Sequence, residues 1–219
     1  MKRLALAAAL LSLAGCSSSG TSDYSQFYQA VRQGIAANFG KAHVTRAQAA
    51  AIPYASIGYR VNGGAEQILV LATDANGEQL WTSGAHIVIV TRGGRIVRTV
   101  GLAHDVSAVA PQTGQDLPLP AAAVGGVVVS TRLMDFPDIP AYGAAITCTA
   151  TPRGEQTILI LGRGIRTIRV DEICRSAELD WSFTNSYWLD PESSLAWRSI
   201  QHIHPKDQTI ETEILRPPG

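Results

Sequence analysis

The sequence is short of lysine, of cysteine and of charge of one sign. Its 219 residues carry 18 basic and 18 acidic side chains, so the formal net charge at pH 7 is zero. A polybasic surface that binds the phosphates of nucleic acid is therefore not predicted. Lysine occurs only at Lys2, Lys41 and Lys206, and arginine supplies the other basic groups. Because the planar guanidinium group pairs well with carboxylates, this composition is compatible with an acidic ligand.

Signatures of the common enzyme classes are also missing. The chain has no Gly-x-Ser-x-Gly nucleophile elbow, no His-Glu-x-x-His zinc motif, no P-loop and no Gly-x-Gly-x-x-Gly fingerprint. The short glycine motif at residues 162–164 is interpreted as a turn, because nothing helical follows it. We expect a protein without catalytic residues, cofactor or bound metal.

Long hydrophobic runs are absent except at the N-terminus. Two basic residues precede an apolar stretch, residues 4–14, which is too short to cross a bilayer as a stable helix, and Cys16 follows it. This order is typical of a bacterial lipoprotein signal peptide over residues 1–15, after which the cysteine becomes the lipidated N-terminus. Residues 16–23, rich in serine, then predict a flexible tether. An ordinary secretory signal or a core helix is the alternative.

Two cysteines remain when Cys16 carries lipid. Cys148 and Cys174 form an even pair, and an exported protein folds in an oxidising compartment. We expect a disulfide between them. The alternatives are two buried free thiols, or half of a metal site, although neither cysteine has a His or another Cys nearby.

Hydrophobic periodicity predicts one amphipathic helix near the N-terminus and strands over most of the remainder. Apolar residues recur at spacings of three and four from Tyr24 to Phe39, so they share one helix face. A short helical turn is predicted from Thr45 to about Ala51, before Pro53. Beyond it the period changes to two, which is typical of half-buried strands.

The strands fall into two groups, separated by a Pro-, Ala- and Gly-containing connection over about residues 104–126. We predict a single β-rich domain over residues 24–219, built from two related antiparallel β-meanders that form a sandwich or a barrel-like structure. The predicted strands are 54–62, 66–73, 78–82, 85–91, 95–102, 127–134, 142–150, 156–161, 164–174, 181–189, 195–203 and 209–215.

An internal duplication of about residues 54–102 and 127–217 is suggested by two sets of residues with the same mutual spacings. The first set is Asp74, Trp81, Ser83, His86 and Ile87, and the second is Asp190, Trp197, Ser199, His202 and Ile203.

Aromatic rings near arginines provide the candidate binding residues. Sugars stack their C–H faces on aromatic rings, and an arginine suits the carboxylate of a uronate. Core packing is the alternative for most of these rings. The candidates for contact with a glycan or a partner are Tyr59, Trp81, Trp188, Trp197 and Arg198.

Histidine and aspartate give weaker signals. His202 and His204 share one face of a strand, and His86 joins them if the two repeats pack together, but partly buried packing explains them better than a metal. Asp74 and Asp190 stand at equivalent turn starts. Turn capping explains this pair better than the two carboxylates of a glycosidase.

Phrases near both ends of the chain resemble a known family. They are Ile52-Pro53-Tyr54-Ala55-Ser56-Ile57, Asn62-Gly63-Gly64, Gln79-Leu80-Trp81, residues 94–102, Tyr187-Trp188-Leu189-Asp190, Trp197-Arg198-Ser199 and residues 213–218. In these phrases the chain is similar to the YjbF/GfcB family, lipoproteins associated with exopolysaccharide and group 4 capsule production in Gram-negative bacteria. Residues 103–140 contain no matching phrase.

The resemblance implies an outer-membrane lipoprotein that faces the periplasm, is mainly β and has no established enzymatic activity. Ser17 directly after Cys16 fits outer-membrane sorting. We expect a non-enzymatic accessory in exopolysaccharide or capsule production or export. Its partners would be a polysaccharide-export β-barrel, periplasmic export proteins or an acidic polysaccharide itself. The alternative is a polysaccharide-modifying hydrolase or lyase of the periplasm.

Overall fold

The computed structural model describes residues 43–113 and 119–219. These residues form an antiparallel sheet of twelve strands that is nearly closed into a barrel, so the prediction of a mainly β fold is confirmed. Among them, no helix has the length and hydropathy that a membrane span requires. The predicted signal peptide, Cys16, the tether and the amphipathic helix from Tyr24 to Phe39 lie outside the described residues.

Two short helices accompany the strands in the described part of the chain. Helix α1 is Arg46–Ala50 and helix α2 is Leu119–Gly125. The strands are β1 Ser56–Val61, β2 Gln67–Ala75, β3 Glu78–Thr82, β4 Val88–Arg92, β5 Arg95–Val100, β6 Ala108–Pro111, β7 Val128–Phe136, β8 Ala141–Ile160, β9 Arg163–Ser176, β10 Trp181–Leu189, β11 Ala196–His204 and β12 Gln208–Arg216.

The strand order shows two meanders joined side by side. It runs β5-β4-β3-β2-β1-β12-β11-β10-β9-β8-β7-β6, so β1 to β5 form one meander and β6 to β12 form the other. The two meet where β1 pairs antiparallel with β12, with Ile57 opposite Ile214. At the other side, the N–H of Thr99 donates to the carbonyl of Val106 and brings the two edge strands together. Their origin in a duplication stays a prediction.

Local sequence signals explain the tight turns and the first helix. Asn62-Gly63 and Asn76-Gly77 adopt positive φ angles at both positions, as two-residue hairpin turns require. Helix α1 begins with a capping box, in which the hydroxyl of Thr45 accepts from the N–H of Gln48 and the Gln48 side chain accepts from the N–H of Thr45. The short helical turn predicted before Pro53 is therefore confirmed.

The connection predicted over residues 104–126 contains regular structure. Strand β6 forms the edge of the sheet, where Pro111 is tolerated because an edge strand leaves one side of its ladder unpaired. Helix α2 follows, and its Leu119 and Ala122 pack with Val170 and Tyr187. Proline and alanine predicted a loop here, but tertiary burial produced an edge strand and a helix.

The turn predicted at Arg153-Gly154 is a β-bulge, so the two strands predicted there form the single strand β8. Pro152 lies opposite Val170 and Gly154 lies opposite Arg169, which leaves Arg153 as the extra residue. Gly154 adopts a φ of 94°. The strand continues because β9 is long enough to pair with it on both sides of the bulge. The chain reverses instead at Leu161 and Gly162, where φ is 49° and 72°.

A buried glutamine, Gln201, links β11 to the β4–β5 hairpin. The side-chain amide of Gln201 on β11 accepts from the N–H of Ile96 and donates to the carbonyl of Gly94, each at 2.9 Å. A Cβ atom at Gly94 would lie 2.4 Å from the Cβ of Ala196, so this approach requires glycine. The β4–β5 hairpin is thereby fixed against β11.

Candidate functional site

The distal half of the β8–β9 hairpin extends beyond β10 and is fastened to other parts of the fold. The pairing of β9 with β10 ends where Ile168 lies opposite Leu189. Nearer the tip, Arg198 Nη2 donates to the carbonyl of Leu159 at 3.1 Å. Arg46 of α1 donates to the carbonyl of Leu161 through Nε and Nη2, at 3.2 and 2.8 Å. These bonds hold the hairpin tip against β11 and α1.

A small apolar cluster supports the hairpin in this position. Trp188 is buried between Ile158 and Ile160 of the hairpin, with Trp197 and Leu215 packed against them. The indole N–H of Trp188 donates to Oε1 of Gln156 at 2.7 Å, which satisfies its polar atom inside the cluster.

A surface groove, which we call the Trp197 groove, opens beside this cluster. Its first half has a volume of about 340 Å³ and lies between α1, the hairpin tip and the end of β12. Arg46, Arg163 and Arg216 line this half together with apolar side chains, and its described lining contains no acidic residue. We call it the arginine half.

Two of these arginines have no polar side-chain partner in the part of the chain that the structure describes. The side chains of Arg163 and Arg216 are exposed and form no hydrogen bond or ion pair with any residue of 43–113 or 119–219. Three guanidinium groups around one depression without a lining carboxylate create a local positive potential. The arginine half therefore favours an anion.

A second depression of about 250 Å³ shares part of its lining with the first, and we call it the mixed half of the groove. It shares Arg163, Ile165 and Trp197 with the first half, and it adds Arg166 and Glu192 among others. Both charge signs are present here, so this half suits neutral polar groups such as hydroxyls.

Asp190 fixes the orientation of the groove tryptophan. Its carboxylate accepts from the N–H of Ser193 and of Glu192, and its Oδ2 accepts from Nε1 of Trp197 at 3.3 Å. The backbone N–H of Ser193, with the other donors, lowers the pKa of this carboxyl. Asp190 thus caps its turn, as predicted, and it also lines the mixed half of the groove.

Two of the predicted contact residues belong to the core. Trp81 and Tyr59 are 1% and 3% exposed and pack in the main apolar cluster. Trp81 donates its indole N–H to the hydroxyl of Thr91, and burial raises the pKa of Tyr59 to about 12. Neither ring can stack on a glycan, because both side chains point from their strands into the barrel interior.

Trp188 and Arg198 support the groove without lining it. Trp188 is 6% exposed, and the guanidinium carbons of Arg169 and Arg198 lie 5.3 and 5.7 Å from its ring centroid. Arg198 is also ion-paired with Glu213. Of the five predicted contact residues, Trp197 is the one that lines the groove.

The barrel interior contains a buried charge cluster that the sequence did not indicate. The Glu172 carboxylate accepts from Arg132 at 3.0 and 2.7 Å and from Arg95 at 2.7 Å. Burial alone would raise the pKa of Glu172, but these two guanidinium groups hold it well below its usual range. With Glu172 only 1% exposed, the cluster organises the core and cannot reach an external ligand.

A second polar cluster lies at one end of the barrel. Asp138 accepts from Nδ1 of His104 and Nε2 of His204, each at 2.8 Å, and Lys206 Nζ lies 3.3 Å from the same carboxylate. The two imidazole rings stack at 4.8 Å. His204 was predicted beside His202 and His86, but its partners here are Asp138 and His104.

The protonation pattern of this second cluster does not suit a metal ion. The N–H of Lys206 donates to Nδ1 of His204, so the proton of the neutral ring is on Nε2, the atom that faces Asp138. Burial lowers the pKa of His204, which favours this neutral form. A metal at the carboxylate would have to displace that proton and stand beside the Lys206 ammonium group.

Cys148 and Cys174 are joined by a disulfide in the structure, with their Cα atoms 4.0 Å apart. They lie directly opposite one another on β8 and β9. The pair therefore crosslinks the two longest strands of the sheet. Glu172 lies near both sulfur atoms, but the disulfide leaves no thiolate to ligate a metal.

The arginines of the groove were missed by sequence reasoning. Arg163 belongs to the Gly162-Arg163-Gly164 motif, which was interpreted only as a turn, Arg216 entered only as part of the family phrase over residues 213–218, and Arg46 carries no local pattern. They meet because the hairpin tip, α1 and the end of β12 converge. The shortage of lysine relative to arginine was the only compositional signal.

Comparison with known proteins identifies relatives over nearly the whole chain. The family model described as "Group 4 capsule polysaccharide lipoprotein gfcB, YjbF" matches residues 29–215. The uncharacterized lipoprotein GfcB of Escherichia coli (strain K12) is 27% identical over 220 residues, covering 99% of each chain. The uncharacterized lipoprotein YjbF of the same organism is 26% identical over 166 residues, covering 75% of this chain and 76% of its own.

A solved structure has the same fold. The crystal structure of the hypothetical lipoprotein YmcC from Escherichia coli (K12) matches with a TM-score of 0.75 and 25% sequence identity. The match covers 92% of this chain and 99% of that one. The barrel described above is therefore shared with a structure solved by crystallography.

Proposed function

This chain belongs to the YjbF family of group 4 capsule polysaccharide lipoproteins, and we propose that it is a non-catalytic accessory in the production or export of a capsular polysaccharide or exopolysaccharide. It would be anchored by lipid on Cys16 and would face the periplasm from the outer membrane. Its contribution would be to bind an export component or the glycan. The family and the lipoprotein relatives support this proposal, and the N-terminal sequence agrees with them.

The single observation that carries a binding role is the Trp197 groove. It lies between α1, the β8–β9 hairpin tip and the ends of β11 and β12, and two of its arginines are exposed and have no polar partner among the described residues. Exposed arginines beside an ordered tryptophan are typical of recognition surfaces. A surface of this kind has no evident structural purpose.

The chemistry of the groove supports binding more than catalysis. A general acid in a glycosidase needs a raised pKa, whereas the three N–H donors on Asp190 lower the pKa of that carboxyl. Asp74, its predicted counterpart, lines a different depression with Gly93 and Ser194. The two aspartates therefore do not face one shared cleft as a glycosidase pair would.

The proposal is tested by complementation in cells. In a strain without the gene, the wild-type chain should restore surface polysaccharide, and the double variant Arg163→Glu with Arg216→Glu should fail. Charge reversal repels whatever anionic surface the groove binds, whereas both side chains are exposed and their loss should not affect folding. The matched control is Arg175→Glu, which alters an exposed arginine of β9 outside the groove lining.

Surface polysaccharide is measured with protein abundance measured in parallel by immunoblot, because a destabilised variant would lower secretion through degradation. Full restoration by the double variant at normal abundance would show that the function does not require the groove. Depolymerisation of the cognate polysaccharide by the purified protein, abolished by His104→Ala at unchanged stability, would establish the hydrolase or lyase alternative.

A further inference from the structure

We infer that the Trp197 groove binds a segment of an acidic polysaccharide, with the arginine half taking sugar carboxylates and Trp197 stacking on a sugar ring. This inference rests on the proposed binding function and names the ligand class for the same groove. It follows from the charge, the shape and the fixed side chains of the groove.

Charge complementarity is the first step. Among the described residues, the arginine half is lined by three guanidinium groups and no carboxylate, although the whole chain has a net charge of zero. Elsewhere in the described residues, several arginines are paired with acids, as Arg60 is with Glu211 and Arg198 is with Glu213. The arginine half brings three guanidinium groups around one depression, and an anionic ligand would compensate their charge.

The geometry of the donors favours carboxylates. A guanidinium group presents a planar fork that forms two parallel hydrogen bonds with one carboxylate. Arg46 is already held by its two bonds to the carbonyl of Leu161, so it is an ordered donor rather than a mobile one. Arg163 and Arg216 are available to complete the fork pairs.

The remainder of the groove favours a sugar chain. Trp197 has its orientation fixed by Asp190, and Ile165 lies on the same surface in both halves. An ordered indole offers a flat apolar face to the C–H groups of a pyranose, and it loses little conformational entropy on binding. Because Arg163, Ile165 and Trp197 line both halves, a chain that contacts these residues can reach both the carboxylate-binding and the hydroxyl-binding surface.

A membrane surface fits the groove less well. Basic side chains that bind anionic lipid need to protrude, together with apolar groups that enter the headgroup region. Trp197 is instead half-buried in the wall of a concave surface. A flexible chain can enter such a concavity, whereas a bilayer cannot follow it.

The test uses the mature lipidated protein in detergent and short oligosaccharides of defined charge. Oligogalacturonates and hyaluronan fragments are the acidic probes, and fully methyl-esterified oligogalacturonates and dextran fragments are the neutral ones. Calorimetric titration should show binding of at least one acidic probe. Its methyl ester should bind at least about tenfold more weakly, since esterification removes the negative charge that strengthens the hydrogen bonds from the guanidinium groups.

The variants locate the binding. Arg163→Ala should weaken the affinity about tenfold, and the addition of Arg216→Ala should weaken it further. Arg163→Lys should rescue only part of the loss, because the ammonium group keeps the charge but not the fork. The control Arg175→Ala should bind as the wild type does, and added salt should weaken binding of the acidic probe.

Three results would overturn the inference. They are no binding of either acidic probe, equal binding of the acid and its methyl ester, and binding that Arg163→Ala leaves unchanged. Binding to phosphatidylglycerol vesicles that is lost in Arg163→Ala, without oligosaccharide binding, would assign the groove to lipid instead.

Complementation in cells separates this inference from the proposed function. If the groove variants fail in cells while no oligosaccharide binds, the accessory function stands with a protein ligand. If the groove variants restore secretion fully, the function proposed for the groove fails as well.

Discussion

Glu172 is the residue on which the barrel interior depends most. Its carboxylate is almost fully buried and receives hydrogen bonds from Arg95, Arg132 and Asn185. Removing one partner of a buried ion pair is far more costly than the net contribution of the intact pair, because the remaining charges stay buried. The two guanidinium groups would then face each other without compensation.

Replacement of this carboxylate should therefore destabilise the fold. We expect Glu172→Gln to lower the free energy of unfolding by about 3 kcal/mol or more, since an amide of the same size cannot neutralise two buried cations. Guanidinium chloride titration of the purified protein measures the change. Glu178→Gln is the matched control on the surface, and it should alter stability by less than about 0.5 kcal/mol.

The same variant should change the acid dependence of stability. The folded-state pKa of Glu172 lies below its unfolded value, so this group stabilises the protein above about pH 4 and the contribution is lost as the pH falls. Wild-type stability should decline in acid more steeply than that of Glu172→Gln. Parallel curves, or a variant as stable as the wild type at pH 7, would contradict this description of the core.

At the scale of elements, the β8–β9 hairpin performs two tasks. Near its base it belongs to the barrel wall and carries the disulfide between Cys148 and Cys174. Beyond the bulge at Arg153 it leaves the wall, and its tip contacts α1 and β11 through Arg46 and Arg198. The bulge explains how one hairpin serves both tasks, because the extra residue increases the local bend and twist.

The disulfide should stabilise the hairpin base in exported protein. Non-reducing peptide mapping should find the peptides of Cys148 and Cys174 linked. The paired variant Cys148→Ala with Cys174→Ala should lose about 3.5 kcal/mol of unfolding free energy, the value that the chain-entropy model gives for a loop of this length. Denaturant titration under non-reducing conditions measures it.

A reducing agent provides the control for this prediction. Stability of the wild type should fall toward that of the paired variant when the bond is reduced, while the variant itself should not respond. Two freely alkylated thiols in native exported protein would show that the bond does not form there.

At the scale of the whole molecule, the protein combines a predicted lipid anchor with a barrel that carries the Trp197 groove on its surface. The two meanders are joined by β1 and β12, which are far apart in sequence, and α1 lies beside the groove at the start of the described chain. The Trp197 groove is therefore lined in part by the first helix of the described chain.

Anchoring should depend on Cys16 alone. Changing Cys16→Ala should leave an unlipidated precursor and remove the mature protein from outer-membrane fractions. A protein with several acyl chains is not released from a membrane, whereas a protein without acyl chains has only weak contacts with it. Membrane fractionation with labelled palmitate measures this outcome. A wild-type protein that incorporates no palmitate, or a variant that stays in the outer-membrane fraction, would contradict the lipoprotein assignment.

The sequence by itself determined the class of the fold and its local turns. Alternating hydrophobicity predicted most strands within a few residues, and Asn62-Gly63 and Asn76-Gly77 predicted their hairpins, because period and turn geometry are local properties. It also predicted the pairing of Cys148 with Cys174 and the family. It could not separate Pro152-Arg153-Gly154 as a bulge from a turn, since only the opposite strand decides whether pairing continues.

Only the tertiary structure decided which aromatic and basic residues reach the surface. Trp81 and Trp197 occupy matching positions in the sequence, yet one is buried in the main core and the other lines the groove. Arg132 and Arg163 are equally unremarkable in sequence, yet the fold buries one beside Glu172 and places the other on the surface of the groove. Burial and pairing arise from contacts between distant strands, and no local pattern encodes them.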